Sequence, residues 1–132
     1  MAVYYSTKHV LVVDDTLSIR RSICKALQAE GCECRQAANG AAALEQLRNE
    51  HFDLVLTDYQ MPVMNGLEFM EKLTYRLDSQ DVPFIILMTG VYNEEVYEQA
   101  RKAGASLVLQ KTCDLHQLIA QVMKVFTSKP DS

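Results

Sequence analysis

The chain has 132 residues, the length of one ordinary domain, and its 48% hydrophobic and 23% charged residues match a soluble globular protein with a single core. A formal charge of -4 argues weakly against a nucleic-acid-binding face. No apolar run approaches the roughly 18 residues that a membrane-spanning helix needs.

The opening "MAVYYSTKH" has no long apolar segment behind a basic cluster, so no signal peptide is expected. The first apolar run, "HVLVV" (His9–Val13), reads as a strand and stops at Asp14-Asp15. A helix follows from near Leu17, its stripe formed by Ile19, Ile23, Ala26 and Leu27, and Gly31 falls where a C-terminal cap tolerates positive φ. The mixed run "CECRQA" (Cys32–Ala37) reads as an edge strand. The four cysteines, Cys24, Cys32, Cys34 and Cys113, lack a second Cys or His pair at ligand spacing. Reduced structural thiols are expected, and with them a cytoplasmic location.

Asn39-Gly40 introduces the next helix, with Asn as a good N-cap. "FDLVLT" (Phe52–Thr57) is a buried strand that ends abruptly at Asp58, followed by Met61-Pro62 and by Asn65-Gly66, another helix start. Met70, Leu73 and Leu77 continue that helix, and "FIILMT" (Phe84–Thr89) is a further buried strand ending in Thr89-Gly90. The next helix has acids early and bases late, as the helix dipole favours, with Val96, Ala100 and Ala103 as its stripe and Gly104 after it. "SLVLQ" (Ser106–Gln110) leads into Lys111. Leu115, Leu118, Ile119, Val122, Met123 and Phe126 mark the last helix, and the chain closes in "TSKPDS".

Five strands, each followed by a helix, predict an α/β domain: a doubly wound parallel sheet with helices on both faces. Ligands of such sheets bind beyond the carboxyl ends of the strands. That edge is where Asp14, Asp15, Asp58, Thr89 and Lys111 fall. Carboxylates brought together there stay ionised only with compensation, which a hard divalent cation such as Mg²⁺ supplies through oxygen ligands. A hydroxyl and an ammonium beside the metal complete a site for a phosphoryl group, and a carboxylate is a competent acceptor that forms an acyl phosphate.

Each residue also has a plainer reading. Asp14 or Asp15 caps the helix that starts near Leu17, Thr89 is a β-branched strand residue, and Lys111 is a solvated loop cation. His9, His51 and His116 are scattered, without an acidic partner at suggestive spacing, and read as structural or surface groups. Met61 and Met64 read as loop packing.

"VLVVDD", "LVLTDYQMPVMNG", "ILMTG" and "VLQK", in this order, resemble the receiver domain of bacterial two-component response regulators, over about His9 to Phe126. The resemblance implies a single receiver domain over 1–132 with short tails, flavodoxin-like, with strand order 2-1-3-4-5. It implies Asp58 as phosphoacceptor, with Asp15 and Asp58 as direct Mg²⁺ ligands, the main-chain carbonyl of Gln60 as a third, and Asp14 acting mainly through water. Thr89 matches the switch hydroxyl and Lys111 the lysine that bridges to the phosphoryl group. Gln60 and Val91 match positions that tune hydrolysis. The implied partners are a histidine kinase or histidine phosphotransfer protein and an unspecified downstream protein, with no direct nucleic-acid or membrane contact. The resemblance sets no oligomeric state.

Two positions depart from the family pattern. Thr112 replaces the proline that usually follows the lysine through a cis bond, so either a trans Lys111–Thr112 bond or a strained cis one is expected. Val108 stands where an aromatic usually moves with the threonine, which predicts an altered readout carried by loop movement, or only weakly. Two other functions compete. A phosphorylation-independent docking receiver is suggested by Val108 and Thr112. A Mg²⁺-dependent aspartyl-phosphate phosphohydrolase is disfavoured by the absence of a D-x-D at the nucleophile strand. The expected function is a signalling module that catalyses only its own phosphorylation and dephosphorylation; no output domain follows in this sequence, so a single-domain regulator or phosphorelay intermediate and a receiver cut from a larger protein such as a hybrid kinase both stay open.

Overall fold

The computed structural model describes residues 7–78, 80–91, 93–111 and 114–127, and in them strand and helix alternate throughout. The elements are β1 (His9–Val13), α1 (Leu17–Ala29), β2 (Glu33–Ala37), α2 (Gly40–Asn49), β3 (Leu54–Asp58), α3 (Gly66–Arg76), β4 (Phe84–Thr89), α4 (Glu94–Ala103), β5 (Leu107–Gln110) and α5 (Leu115–Thr127). The strands pair in parallel in the order β2-β1-β3-β4-β5. The chain therefore has the doubly wound parallel architecture expected from its alternating pattern, with the flavodoxin-like strand order that the family resemblance implies. Strand order reverses between β1 and β3, which opens a crevice at their carboxyl ends.

Side-chain alternation along the strands divides the interior into two layers. Leu11, Val13, Val55, Ile85 and Leu87 face α2, α3 and α4, where Phe69, Met70 and Leu73 pack. Val10, Val12, Leu54, Leu56, Ile86 and Met88 face α1 and α5, where Ile23, Leu27, Leu118 and Val122 pack. Each fully buried large apolar side chain contributes about 1.5–3 kcal/mol, against about 0–1 kcal/mol for an exposed ion pair. The central strands thus form a rigid platform for whatever stands at their ends. β2 is mostly exposed, as an edge strand should be.

The helix ends follow their local chemistry. Asn39 accepts from the Ala42 amide, and Asn65 forms a reciprocal capping box with Glu68. Gly31 and Gly104 both take positive φ, at 94° and 113°.

Several expectations need correction. Neither Asp14 nor Asp15 caps α1: its N-cap is Thr16, which makes no side-chain capping bond. Ile19 and Leu115, expected on buried stripes, are 37% and 40% exposed. Both lie in the first turns of their helices, where they line one open cleft with Ser22, Met88 and Lys111 instead of closing the core. β3 starts at Leu54 rather than Phe52, and Asp58 is its last residue rather than the first after it. His9 and His51 do have acidic partners, Glu33 at 3.1 Å and Asp53 at 3.4 Å, but these pairs lie near the amino ends of the strands. Cys24, Cys32 and Cys34 are free thiols. Cys113 and the Lys111–Thr112 bond involve positions outside the described residues. No helix among the described residues is long and apolar enough to cross a membrane.

Candidate functional site

β1 and β3 are neighbours in register, with Val13 opposite Thr57, so the next residue on each strand delivers a carboxylate to the same edge. Asp14 and Asp58 are buried, whereas Asp15 is exposed above them. Oxygens of all three carboxylates lie within 4.8 Å of one another. Lys111, one residue beyond β5, reaches across β4 to place Nζ 2.9 Å from Asp58 Oδ2 and 3.8 Å from Asp14 Oδ2. The solvated-cation reading of Lys111 therefore fails.

The backbone around Asp58 is fixed on both sides. The Tyr59 amide donates to Met88 O at 2.8 Å, the Gly66 amide donates to Tyr59 O at 2.7 Å, and the Gln60 amide donates to Asp58 Oδ1 at 3.3 Å. A Cβ on Gly66 would come within 2.6 Å of Asp58 O. Glycine is thus what allows α3 to start against the strand end, a role that turn chemistry alone did not reveal. Gln60 lines a cleft of about 470 Å³ together with Asp15, Tyr59, Met61, Pro62 and Asn65. Val63, at the tip of this loop, is fully exposed and has φ 72°.

Asp14 is held at nearly every polar atom. Its amide donates to Ala37 O, and its Oδ1 accepts from the Thr16 amide at 2.8 Å. Its carbonyl accepts from Arg20 Nη1 at 2.7 Å. The remaining atom, Oδ2, is buried and accepts no hydrogen bond among the described residues. Burial raises the Asp14 pKa above its ordinary value and the charges of Asp58 and Asp15 add to the rise, while the Thr16 amide and the Lys111 charge oppose it without cancelling it. For Lys111, burial pulls downward but is outweighed by the hydrogen bond to Asp58 and by the charges of the three aspartates, so its pKa is raised.

Thr89 is buried at the end of β4, and its hydroxyl is engaged by its own loop: Oγ1 donates to Val91 O at 2.9 Å and accepts from the Val91 amide at 3.0 Å. The structure therefore gathers Asp14, Asp15, Asp58 and Lys111 directly. Thr89 joins them only if this pair of bonds opens. Val108 is buried opposite Leu87 in the neighbouring strand.

A buried oxygen that accepts no hydrogen bond, within an all-oxygen carboxylate cluster, fits a hard divalent cation, and Mg²⁺ is the ion whose preferences match. Lys111 offsets one negative charge and leaves the remainder for the metal. The residue that sequence reasoning passed over is Arg20. Its only sequence signal is a cation in the first turn of a helix, where the dipole disfavours one.

The family model described as the response regulator receiver domain matches residues 10–123. The transcriptional regulatory protein CrdR of Helicobacter pylori is 31% identical over 93% of this chain, which spans 57% of that relative. The sporulation initiation phosphotransferase F of Bacillus subtilis is 29% identical, with 91% of this chain and 94% of the relative covered. Among solved structures, the chemotaxis protein CheY4 of Vibrio cholerae superposes with a TM-score of 0.84 at 30% identity, covering 91% of this chain and 99% of that one.

Proposed function

The chain belongs to the response regulator receiver domain family and is a phosphoacceptor switch of two-component signalling, and from that premise we propose that Asp58 is the acceptor, Lys111 and Thr89 its assistants, and Asp14, Asp15, Asp58 and the Gln60 carbonyl the holders of Mg²⁺. Receiver domains as a family bind Mg²⁺ at an acidic pocket of this kind. The observation that supports the assignment is the convergence of three carboxylates within 4.8 Å, one of them ion-paired to Lys111 at 2.9 Å.

In the proposed reaction a carboxylate oxygen of Asp58 attacks the phosphorus of a phosphohistidine. The new P–O bond forms as the P–N bond breaks, and the imidazole leaves. Asp58 is presented in a restrained orientation, because β3 holds its backbone while the Gln60 amide and Lys111 Nζ each hold one carboxylate oxygen. Lys111 Nζ, already on Oδ2, neutralises charge on an equatorial phosphoryl oxygen as the transfer proceeds. Bound Mg²⁺ supplies charge stabilisation and alignment for the phosphoryl group. Thr89 Oγ1 exchanges its Val91 partners for a phosphoryl oxygen, and water later cleaves the acyl phosphate.

The phosphodonor is a histidine kinase or histidine phosphotransfer protein. The chain acts in the cytoplasm as a single receiver domain over 1–132 that catalyses only its own phosphorylation and dephosphorylation, then presents a changed surface to a protein partner. The named phosphotransferase among its relatives supports the relay setting.

The test is incubation with Mg²⁺ and acetyl phosphate or phosphoramidate, followed by intact mass, for the wild type and Asp58→Asn. The wild type gains the mass of one phosphoryl group and Asp58→Asn gains none. A wild type that stays unmodified, or a substituted chain that is modified equally, overturns the assignment.

A further inference from the structure

Arg20 occupies the first turn of α1, where the aligned peptide dipoles present positive charge and a cation is disfavoured. Its position is therefore explained by what the side chain reaches. No carboxylate of the acidic cluster pairs with it among the described ion pairs. Instead Nη1 donates to the main-chain carbonyl of Asp14 at 2.7 Å, and Nε donates to Gln36 Oε1 on β2 at 3.3 Å. Gln36 is itself anchored, because its carbonyl accepts from Gln46 Nε2 on α2 at 2.7 Å. A chain of hydrogen bonds thus runs from α2 through the edge strand and Arg20 to one peptide bond.

That peptide joins Asp14 to Asp15. Its plane sets where the Cα–Cβ bond of Asp15 points, and Asp15 is exposed, so packing does not fix it. The geometry points to Arg20 as a positioning residue that clamps the Asp14–Asp15 peptide and so aims the Asp15 carboxylate at the cation. The inference rests on the assignment of these aspartates to Mg²⁺ made above. It predicts a role in metal affinity and none in the transfer itself, since among the described residues the hydrogen bonds of Arg20 go to Asp14 O and Gln36 rather than to Asp58 or Lys111.

The experiment measures Mg²⁺ dissociation constants on the full chain by amide shifts, with thermal midpoints recorded in EDTA and phosphorylation rates measured across Mg²⁺ concentrations. Arg20→Met should raise the dissociation constant about ten-fold, the scale seen when outer-shell partners of metal ligands are lost. Its phosphorylation rate should return to near wild type at saturating Mg²⁺. Arg20→Lys, which keeps one donor, should recover most of the affinity. Gln36→Ala leaves the arginine but frees its guanidinium, and should weaken Mg²⁺ about three-fold; it carries the test if Arg20→Met does not fold. Unchanged Mg²⁺ affinity in Arg20→Met, or in Gln36→Ala where that variant stands in, overturns the inference, as does a rate deficit that excess Mg²⁺ does not cure. A wild type that fails to bind Mg²⁺ defeats the underlying site assignment instead, so the two failures are distinct.

Discussion

Asp14 carries its charge at a cost, because it is buried beside the charges of Asp58 and Asp15 with one oxygen that accepts no hydrogen bond, and Lys111 at 3.8 Å offsets this only in part. Its folded pKa lies above the unfolded value of 3.8, so the folded state holds its proton more tightly. The stabilisation from this group is present below the unfolded pKa and is lost as pH rises through the raised folded value. At neutral pH without metal, Asp14→Asn should therefore raise the urea midpoint, with the gain shrinking as pH falls toward 3.8. Saturating Mg²⁺ should reduce or reverse the advantage, because only the aspartate gains from the cation. Equal midpoints at pH 7 would contradict this reading. Val63 is a second residue-scale case: a β-branched side chain at φ 72° with no packing in return. Val63→Asn should stabilise the chain by about 1 kcal/mol in denaturant titration. Neither feature was readable in advance. The Asp58 motif could be read from its punctuation, but a buried oxygen without a hydrogen bond and backbone strain are properties of three-dimensional placement.

At the scale of elements, the site depends on α3 starting directly against β3. Gly66→Ala should cost about 1–3 kcal/mol, because the clash is with the Asp58 carbonyl and backbone cannot swing aside as a side chain can. It should also slow phosphorylation, whereas Asn65→Ala, which removes only the cap, should cost about 1 kcal/mol. Under the proposed role of Thr89, β4 is the route for output. Thr89 binds Val91 through both its amide and its carbonyl, so drawing the hydroxyl toward a phosphoryl group releases the β4–α4 loop. Adding beryllofluoride and Mg²⁺ should shift the amides of Gly90, Val91 and Asn93 more than that of Val108; the opposite ranking would restore β5 as the lever. Strand and helix starts such as His9, Leu17 and Phe84 were legible from apolar runs. Burial of Ile19 and Leu115 was not, because periodicity identifies a face without saying whether a neighbour extends far enough to cover it.

Across the whole molecule, a two-layer apolar core holds a parallel sheet whose carboxyl edge carries every group assigned to the chemistry. The alternating pattern of strands and helices, and the location of polar residues at strand ends, made that arrangement readable from one sequence. The Arg20 link to β2 and α2 escaped it, since a main-chain carbonyl as partner leaves no mark in side-chain patterns. The measurement that bears most directly on the central claim is a crystal structure with Mg²⁺ and beryllofluoride. The account predicts the fluoride group on Asp58, the cation held directly by Asp15, Asp58 and the Gln60 carbonyl with Asp14 acting mainly through water, and Lys111 Nζ and Thr89 Oγ1 on fluorines, with both Val91 bonds of Thr89 broken. A cation bound elsewhere, or a fluoride group that leaves Lys111 and the three aspartates apart, would contradict it.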